Sequence, residues 1–217
     1  MELFITSYCQ IHDYKVMVND RLIFYQENSS KFADFAKSLY KQAQITYPRF
    51  YKMDALSKLG FLSTELLLQE KTIAGYNSEK VGVVFANAGS SLDTDLTHQE
   101  TIRNRSGYFP SPSVFVYTLP NIVIGEVCIR HQIKGENAFL ISETPDAGLI
   151  CNYVNELFDS ERVDACICGW VEATGSQFAS LVMLVEKSAG NLPSDGIKNL
   201  PPKTFNIENV NPILKFN

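Results

Sequence analysis

Residues 141–148, with the sequence Ile-Ser-Glu-Thr-Pro-Asp-Ala-Gly, stand where an apolar run ends and a helical pattern begins. Thr144 carries a hydroxyl that an adjacent base can activate, and the first turn of a helix offers backbone N–H groups that stabilise an oxyanion. A thiolate would suit this position better, because the helix dipole lowers the pKa of a thiol, but the stretch contains no cysteine. The chemistry open to it is acyl transfer by an alcohol or oxyanion binding by the helix N-terminus alone.

The same residues also predict an ordinary helix start. Thr144 as the N-cap, Pro145 at the first helical position and Asp146 at the second are residue types that helix N-termini favour, and such a cap stabilises a helix by about 1 kcal/mol. A catalytic alcohol would in addition need a base beside it. The histidines available for that role are His12, His98 and His131. We expect the capping role for Thr144 and keep nucleophilic catalysis as the alternative.

The turn lies between a predicted strand and a predicted helix. Apolar runs predict strands at 137–142, 163–171 and 178–186. The broad apolar stripe of residues 145–158 predicts a helix that lies on a sheet. This β-α-β-β order places the turn at the end of a strand, at the sheet edge where its side chains can face a ligand.

Earlier segments add to the predicted sheet and its helices. Residues 3–11 are rich in β-branched and aromatic residues and predict a first strand, while the continuous apolar run within 80–91 predicts a central, buried parallel strand. Apolar spacings of three and four predict helices over 31–44 and 53–70. Asp54 has the residue type and position of an N-cap for the second of these helices.

The composition limits the classes of function. The 217 residues carry 19 Lys+Arg against 24 Asp+Glu, a net charge of −5, which opposes broad binding to nucleic acid phosphates. Apolar stretches fall far short of the roughly 20 residues that span a membrane, and no signal-peptide pattern opens the chain, so we expect a cytoplasmic protein. Nucleotide-binding and metal-ligand spacings are missing, and we expect no cofactor and no metal. The cysteines, expected to be reduced, are Cys9, Cys128, Cys151, Cys166 and Cys168.

The composition changes near residue 189, and this change sets the predicted domain organisation. Residues 1–188 are predicted to form one domain, and 189–217, dense in Pro, Asn and Gly, a tail without regular structure over most of its length. Apolar residues nevertheless recur in the tail and could cover an apolar face of the domain. They are Phe205, Ile207, Val210, Ile213, Leu214 and Phe216.

Several stretches together resemble the N-terminal half of the β-ketoacyl-acyl-carrier-protein synthases, which belong to the thiolase-like superfamily. These stretches are MDALSKLGFLSTELLL from Met53, VGVVFANAGSS from Val81, and the ungapped run from Ser111 to Ser142 with its Ser-Pro, Asn, Gly, Ile-Arg and Lys-Gly-x-Asn elements. CICGWVEA (166–173) is similar to the strand where that family usually has Gly-Gly-x-Glu-Ala, and ASLVMLVEK (179–187) to the strand that closes its first half.

The resemblance implies an α/β fold: a thiolase-like half with a mixed five-stranded sheet, mostly parallel with its last strand antiparallel, and helices on both faces. It places Thr144 at the position of the family's acylated cysteine. The family's second half, which supplies two active-site histidines, has no counterpart after Lys187, and the family does not bring the segments of His12, His98 or His131 to this turn. Cys128, inside an apolar stretch, is not expected to replace the missing thiol.

The resemblance also implies a two-fold interface formed by strand 137–142 and segment 111–124, with the second of these lining an acyl pocket of the partner. The residues matching the pocket or interface are Phe115, Tyr117, Leu119 and Asn121. We therefore expect a homodimer or heterodimer. The implied function is a non-catalytic ketosynthase-like subunit of fatty-acid or polyketide-type biosynthesis, paired with itself or with a full ketosynthase in the manner of a chain-length factor.

An enzymatic alternative remains open at this stage. It is an acyl-carrier-protein-dependent acyltransferase or decarboxylase that uses Thr144 or the helix N-terminus. Acyl carrier proteins are acidic, and a basic patch could steer one to this chain, although a scattered charged surface explains the same residues equally well. The residues concerned are Arg103, Arg105, Arg130, His131 and Lys134.

Overall fold

The computed structural model describes residues 2–27, 31–103, 109–187 and 203–216. Short 3-10 helices lie at Pro48–Lys52 and Ser78–Lys80. The strands are β1 Phe4–His12, β2 Lys15–Val18, β3 Arg21–Tyr25, β4 Val81–Asn87, β5 Asn137–Ile141, β6 Ala165–Thr174, β7 Gln177–Glu186 and β8 Lys203–Thr204. The helices are α1 Phe32–Gln42, α2 Ala55–Glu70, α3 Leu92–Ile102, α4 Pro112–Val116, α5 Ile122–His131, α6 Ala147–Asp159 and α7 Ile207–Leu214.

One mixed sheet contains all eight of these strands, in the order β3-β2-β1-β7-β6-β4-β5, with β8 paired to β1. The α/β class and the mixed sheet agree with the prediction, but the predicted count of five strands is wrong. Only the β4–β5 and β4–β6 pairs are parallel, and the other pairs are antiparallel, so the sheet is not mostly parallel. The five predicted strands exist as β1, β4, β5, β6 and β7.

The two strands that the prediction missed at the N-terminal side are joined by very tight turns. Asp13 and Tyr14 connect β1 to β2, and Asn19 and Asp20 connect β2 to β3, with all four residues at positive φ between 46° and 63°. Two-residue hairpin turns with positive φ match the right-handed twist of their strands. These turns let a single antiparallel ribbon extend the sheet beyond β1.

Helices cover both faces of the sheet, as predicted. On one face α1, α2 and α5 enclose a core that includes Phe35, Leu59 and Val123. On the other face α6 and α7 enclose a second core that includes Ile150 and Val210. Strand β4 lies between these layers and is buried at every position, which explains its continuous apolar sequence.

The start of α2 follows its sequence signal. Asp54 is the N-cap and accepts a hydrogen bond from the backbone N–H of Ser57 at 2.8 Å. Its other carboxylate oxygen accepts from the Thr94 hydroxyl at 2.9 Å, which ties α2 to α3. The cap therefore fixes both the start of the helix and the position of its neighbour.

The C-terminal segment is more regular than its composition predicts. Residues 203–216 contain β8 and α7, a strand and a helix that the composition did not predict, while 189–202 lie outside the described residues. Asn206 caps α7 by accepting from the N–H of Asn209 at 2.9 Å. The apolar residues of the segment that are buried in the second core are Phe205, Val210, Ile213 and Leu214.

Among the described residues, no helix has both the length and the apolar character needed to cross a membrane. The same residues contain no group of three or more histidine, cysteine, aspartate or glutamate side chains placed to hold a metal ion.

Candidate functional site

The turn between β5 and α6 has the predicted order of strand, corner and helix, but its cap is a different residue. Asp146 is the N-cap of α6 and accepts a hydrogen bond from the N–H of Leu149 at 3.0 Å. The prediction that Thr144 caps this helix is wrong. An aspartate caps as well as a threonine does, and with Asp146 in that role the helix begins at Ala147 and leaves Pro145 outside it.

The position of Thr144 weakens its case as a nucleophile. Thr144 is exposed and lies two positions before the N-cap. It is therefore outside the first turn of the helix, where the backbone N–H groups have no partner within the helix. The carboxylate of Asp146 already occupies one of those N–H groups. A hydroxyl at this place gains little from the helix dipole, which acts within the first turn.

A second loop beside the turn has its backbone donors occupied as well. The N–H groups of Ala88 and Gly89, just after β4, donate to Glu172 Oε2 at 2.7 and 3.0 Å. The Thr174 hydroxyl donates to the other oxygen of Glu172 at 2.5 Å. Paired backbone N–H groups of this kind could bind an oxyanion, but here a fixed carboxylate binds them. Sequence reasoning missed this role of Glu172, although its place in the Gly-x-x-Glu-Ala stretch was a signal.

The turn borders a cavity of about 400 Å³ that the sequence did not predict. Pro145 lines it together with His12 at the end of β1, Trp170 in β6 and Phe178 in β7. The expectation that no histidine segment lies near the turn is therefore wrong for His12. The remaining lining residues are Asp13, Tyr14, Ala88, Glu172, Ser176, Gln177, Ala179 and Phe216.

The other two histidines lie elsewhere. His98, in α3, packs its ring 5.4 Å from the ring of Phe115. His131, at the end of α5, has Nε2 2.8 Å from Glu65 Oε1. Neither residue lines the cavity beside the turn. Only His12 among the three histidines is therefore placed near Pro145.

The predicted pocket and interface residues divide into two groups. Phe115, Leu119 and Asn121 are exposed. Tyr117 is buried instead, and its hydroxyl donates to the buried carboxylate of Glu126 at 3.1 Å. Burial and the charge of Glu126 raise the pKa of Tyr117. Tyr117 therefore supports the segment from inside, while the exposed three could face a partner.

The edge strand β5 belongs to an apolar surface. In the described part of the chain β5 pairs only with β4, so its other edge is open. Its residues are partly or fully exposed, in contrast to those of β4. Helix α5 packs beside β5, and α4 contacts α3. We call the β5 surface the set of exposed apolar side chains on these four elements and on the segment that joins α4 to α5. They are Leu92, Leu96, Phe115, Val116, Leu119, Ile129 and Ile141.

The predicted basic patch does not form a cluster of free cations. Arg130 makes a two-pronged pair with Glu65, at 2.9 and 3.1 Å, and Arg103 pairs with Glu100 at 3.1 Å. Lys134 lies in a mixed cavity that also contains acidic side chains. Arg105 lies outside the described residues.

The cysteines are free thiols in the described chain, and Cys128 is the only one that is not fully buried. Burial raises the pKa of Cys128 to about 11 and that of Cys151 to about 12. These thiols are protonated at neutral pH and are poor nucleophiles. Cys128 therefore does not replace the thiol that the turn lacks.

No protein-family model and no curated protein matches the chain. Solved structures do match it. The ishigamide ketosynthase/chain length factor has a TM-score of 0.66 at 17% identity, over 93% of this chain and 64% of that one. A ketosynthase in complex with its chain length factor from Xenorhabdus doucetiae has a TM-score of 0.58 at 12% identity, over 93% and 87%.

A third similar structure is a type II polyketide synthase acyl-carrier protein in complex with its ketosynthase bound to the hexaketide. It has a TM-score of 0.57 at 13% identity, over 86% of this chain and 62% of that one. The chain thus spans less than two thirds of the length of the ishigamide protein and of the hexaketide-bound ketosynthase. At these identities the likeness concerns the fold alone. The chain has the fold that these ketosynthase and chain-length-factor structures share.

Proposed function

We propose that this chain is a ketosynthase-like subunit that pairs through the β5 surface with a ketosynthase, or with a second copy of itself, and that it supplies no condensing nucleophile. Its biochemical setting would be fatty-acid or polyketide-type biosynthesis on an acyl carrier protein. The observation that carries the proposal is the open edge of β5 beside exposed apolar side chains. Similar structures that are ketosynthase and chain-length-factor pairs support the same mode of action.

The backbone of β5 is suited to pairing with another strand. The carbonyl of Glu136 accepts from Val83 and the N–H of Ser142 donates to Asn87, so alternate residues of this segment face β4. In a parallel pair the N–H and C=O of one residue point to the same side, and therefore those of Phe139 and Ile141 point to the open edge. An open edge with apolar neighbours is unfavourable in water unless a partner covers it.

The absence of a condensing nucleophile is supported by three arrangements. Thr144 precedes the helix cap, the backbone donors after β4 are bound to Glu172, and burial raises the pKa values of the Cys128 and Cys151 thiols. A thioester-attacking group needs a low pKa or an adjacent base and a free oxyanion site. The subunit would then act through association, by shaping or stabilising its partner.

Two lysine substitutions at opposite edges of the sheet test the pairing. Ile141 in β5 is 54% exposed and Leu22 in β3 is 57% exposed, so they are matched in exposure and in edge position. We expect Ile141→Lys to abolish the dimer, or the complex with a co-expressed ketosynthase, in sedimentation velocity at micromolar concentration, and Leu22→Lys to leave it intact.

A proline at the same position tests the backbone edge of β5. Ile141→Pro removes an edge N–H while keeping the bond from Ser142 to Asn87. It should weaken association as Ile141→Lys does, at an unchanged circular dichroism spectrum. A wild-type chain that is monomeric both alone and with the ketosynthase would contradict the proposal, and so would equal effects at Ile141 and Leu22.

The enzymatic alternative has its own direct test. The purified chain is incubated with malonyl- and acyl-loaded carrier protein, and its intact mass and the release of carbon dioxide are measured. We expect neither an adduct nor decarboxylation. An acyl adduct that disappears in Thr144→Ala would show that the turn is catalytic and would overturn the non-catalytic part of the proposal.

A further inference from the structure

The cavity beside Pro145 is lined by residues that the proposed pairing does not involve. It lies on the β1, β6 and β7 side of the sheet, and none of its lining residues belongs to the β5 surface. Its volume, about 400 Å³, falls within the range of small-molecule sites, which is roughly 300–1,000 Å³. Residues from the β1–β2 turn, the β6–β7 hairpin and the C-terminal segment meet here, and these are elements far apart in the chain.

Aromatic side chains form the apolar walls of this cavity. Trp170 packs in the core that α6 and α7 enclose and Phe178 in the core that α1, α2 and α5 enclose, so each ring is held from its own face of the sheet. The Phe178 ring also packs edge-on against Tyr14 at 5.2 Å. Phe216 closes the cavity from the C-terminal segment, with its ring 5.9 Å from that of His12. Rings fixed in this way favour a flat, apolar occupant that can stack or pack edge-to-face.

His12 is a polar lining group with unused hydrogen-bonding capacity. Its Nδ1 lies 3.4 Å from Asp13 Oδ2 and is the donor to this carboxylate, which can only accept; in a neutral imidazole with its hydrogen on Nδ1, Nε2 is the acceptor. This Nε2 has no hydrogen-bond partner among the described residues. The carboxylate of Glu172 already accepts three hydrogen bonds from the protein. An occupant that carries a hydrogen-bond donor can therefore donate to His12.

The charge of the lining residues determines which charge the occupant can carry. Asp13 and Glu172 are acidic, and the lining contains no lysine or arginine. An anionic ligand would face repulsion without a compensating cation. We propose that the cavity binds a neutral planar hydroxyaryl compound, with its ring against the aromatic walls and its hydroxyl donating to His12 Nε2.

Three probes of one shape test the proposal on the unmodified full-length chain. They are 2-naphthol, 2-methoxynaphthalene, which lacks the O–H donor, and 2-naphthoate, which is anionic. Affinities are measured by isothermal titration calorimetry at neutral pH, and quenching of Trp170, the only tryptophan, locates binding at the cavity. We expect 2-naphthol to bind about 2- to 10-fold more tightly than the methyl ether, because one neutral hydrogen bond contributes about that factor to the affinity. We expect 2-naphthoate to bind most weakly of the three.

Two variants test whether the hydroxyl of 2-naphthol donates its hydrogen bond to His12. His12→Phe keeps a ring but removes Nε2, and it should lower the affinity for 2-naphthol to that for the methyl ether, while His98→Phe, far from the cavity, should change neither. Failure of 2-naphthol to bind, equal affinities for the naphthol and its ether, or equal losses in the two variants would overturn the proposal. The comparison of probes on the unmodified chain decides the question even if His12→Phe does not fold. Neither result depends on whether the chain pairs with a ketosynthase.

Discussion

Replacement of Leu214 by alanine tests whether α7 is an integral part of the fold. Leu214 is 3% exposed and packs in the core that α6 and α7 enclose, whereas Ile207, at the other end of α7, is 43% exposed. A buried Leu→Ala replacement costs about 2–5 kcal/mol, because apolar contact is lost and a cavity remains. For a chain of this size 1 kcal/mol corresponds to about 2–4 °C in melting temperature, so Leu214→Ala should lower it by roughly 4–20 °C.

The matched control is Ile207→Ala in the same helix, which should shift the melting temperature by less than about 3 °C, since half-exposed positions contribute little. Both variants are compared with the unmodified chain by differential scanning calorimetry. Hydrogen exchange of residues 203–216 shows whether α7 opens separately. A Leu214→Ala chain that melts like the unmodified one, or like Ile207→Ala, would refute the inference that α7 stabilises the domain, because the helix would then be detachable without loss.

Two further changes test the packing and the charges of the interior. Gly169→Ala should abolish folding or lower the free energy of unfolding by more than about 4 kcal/mol in chemical denaturation. The reason is that Gly169 has φ +157° and a Cβ there would lie 1.8 Å from the carbonyl oxygen of Leu181. A stable variant would contradict this. Burial alone would raise the pKa of Glu65, but contacts with His131 and Arg130 outweigh it and lower the pKa below 4.5. The stabilisation by Glu65 is therefore present above that pH and is lost as the pH falls through the lowered pKa. In urea titrations Glu65→Gln should lower the free energy of unfolding by about 2 kcal/mol at neutral pH and by progressively less in acid. A loss of stability that does not change with pH would contradict this.

Local sequence signals determined much of the fold. The continuous apolar run that forms β4 and the Asp54 cap of α2 appear where they were predicted, because burial on both faces and a capping carboxylate leave few alternatives. The pairing of β1 with β7 is different. It joins segments at opposite ends of the chain, and periodicity within either strand carries no information about its partner.

The missed features have local physical causes. The turn at Asn19 and Asp20 contains no glycine, so the hairpin was not predicted, although both residues tolerate positive φ better than most. The corner before α6 offers two capping residues, Thr144 and Asp146, and composition alone cannot choose between them. The cavity at His12 depends on Phe216, whose position is set by the docking of a helix that the proline-rich composition concealed.

The hold of Glu172 on the N–H groups of Ala88 and Gly89 has a consequence for attempts to place a thiol nucleophile at the turn. A Thr144→Cys replacement would supply sulfur, yet the new thiol would lie ahead of the helix start, and the backbone donors after β4 would still be bound to a carboxylate. Such a design would require at least a shifted cap and a released loop at the same time, and each of these changes alone removes a stabilising hydrogen bond. A single substitution at the turn is therefore not expected to create a nucleophile with an oxyanion site.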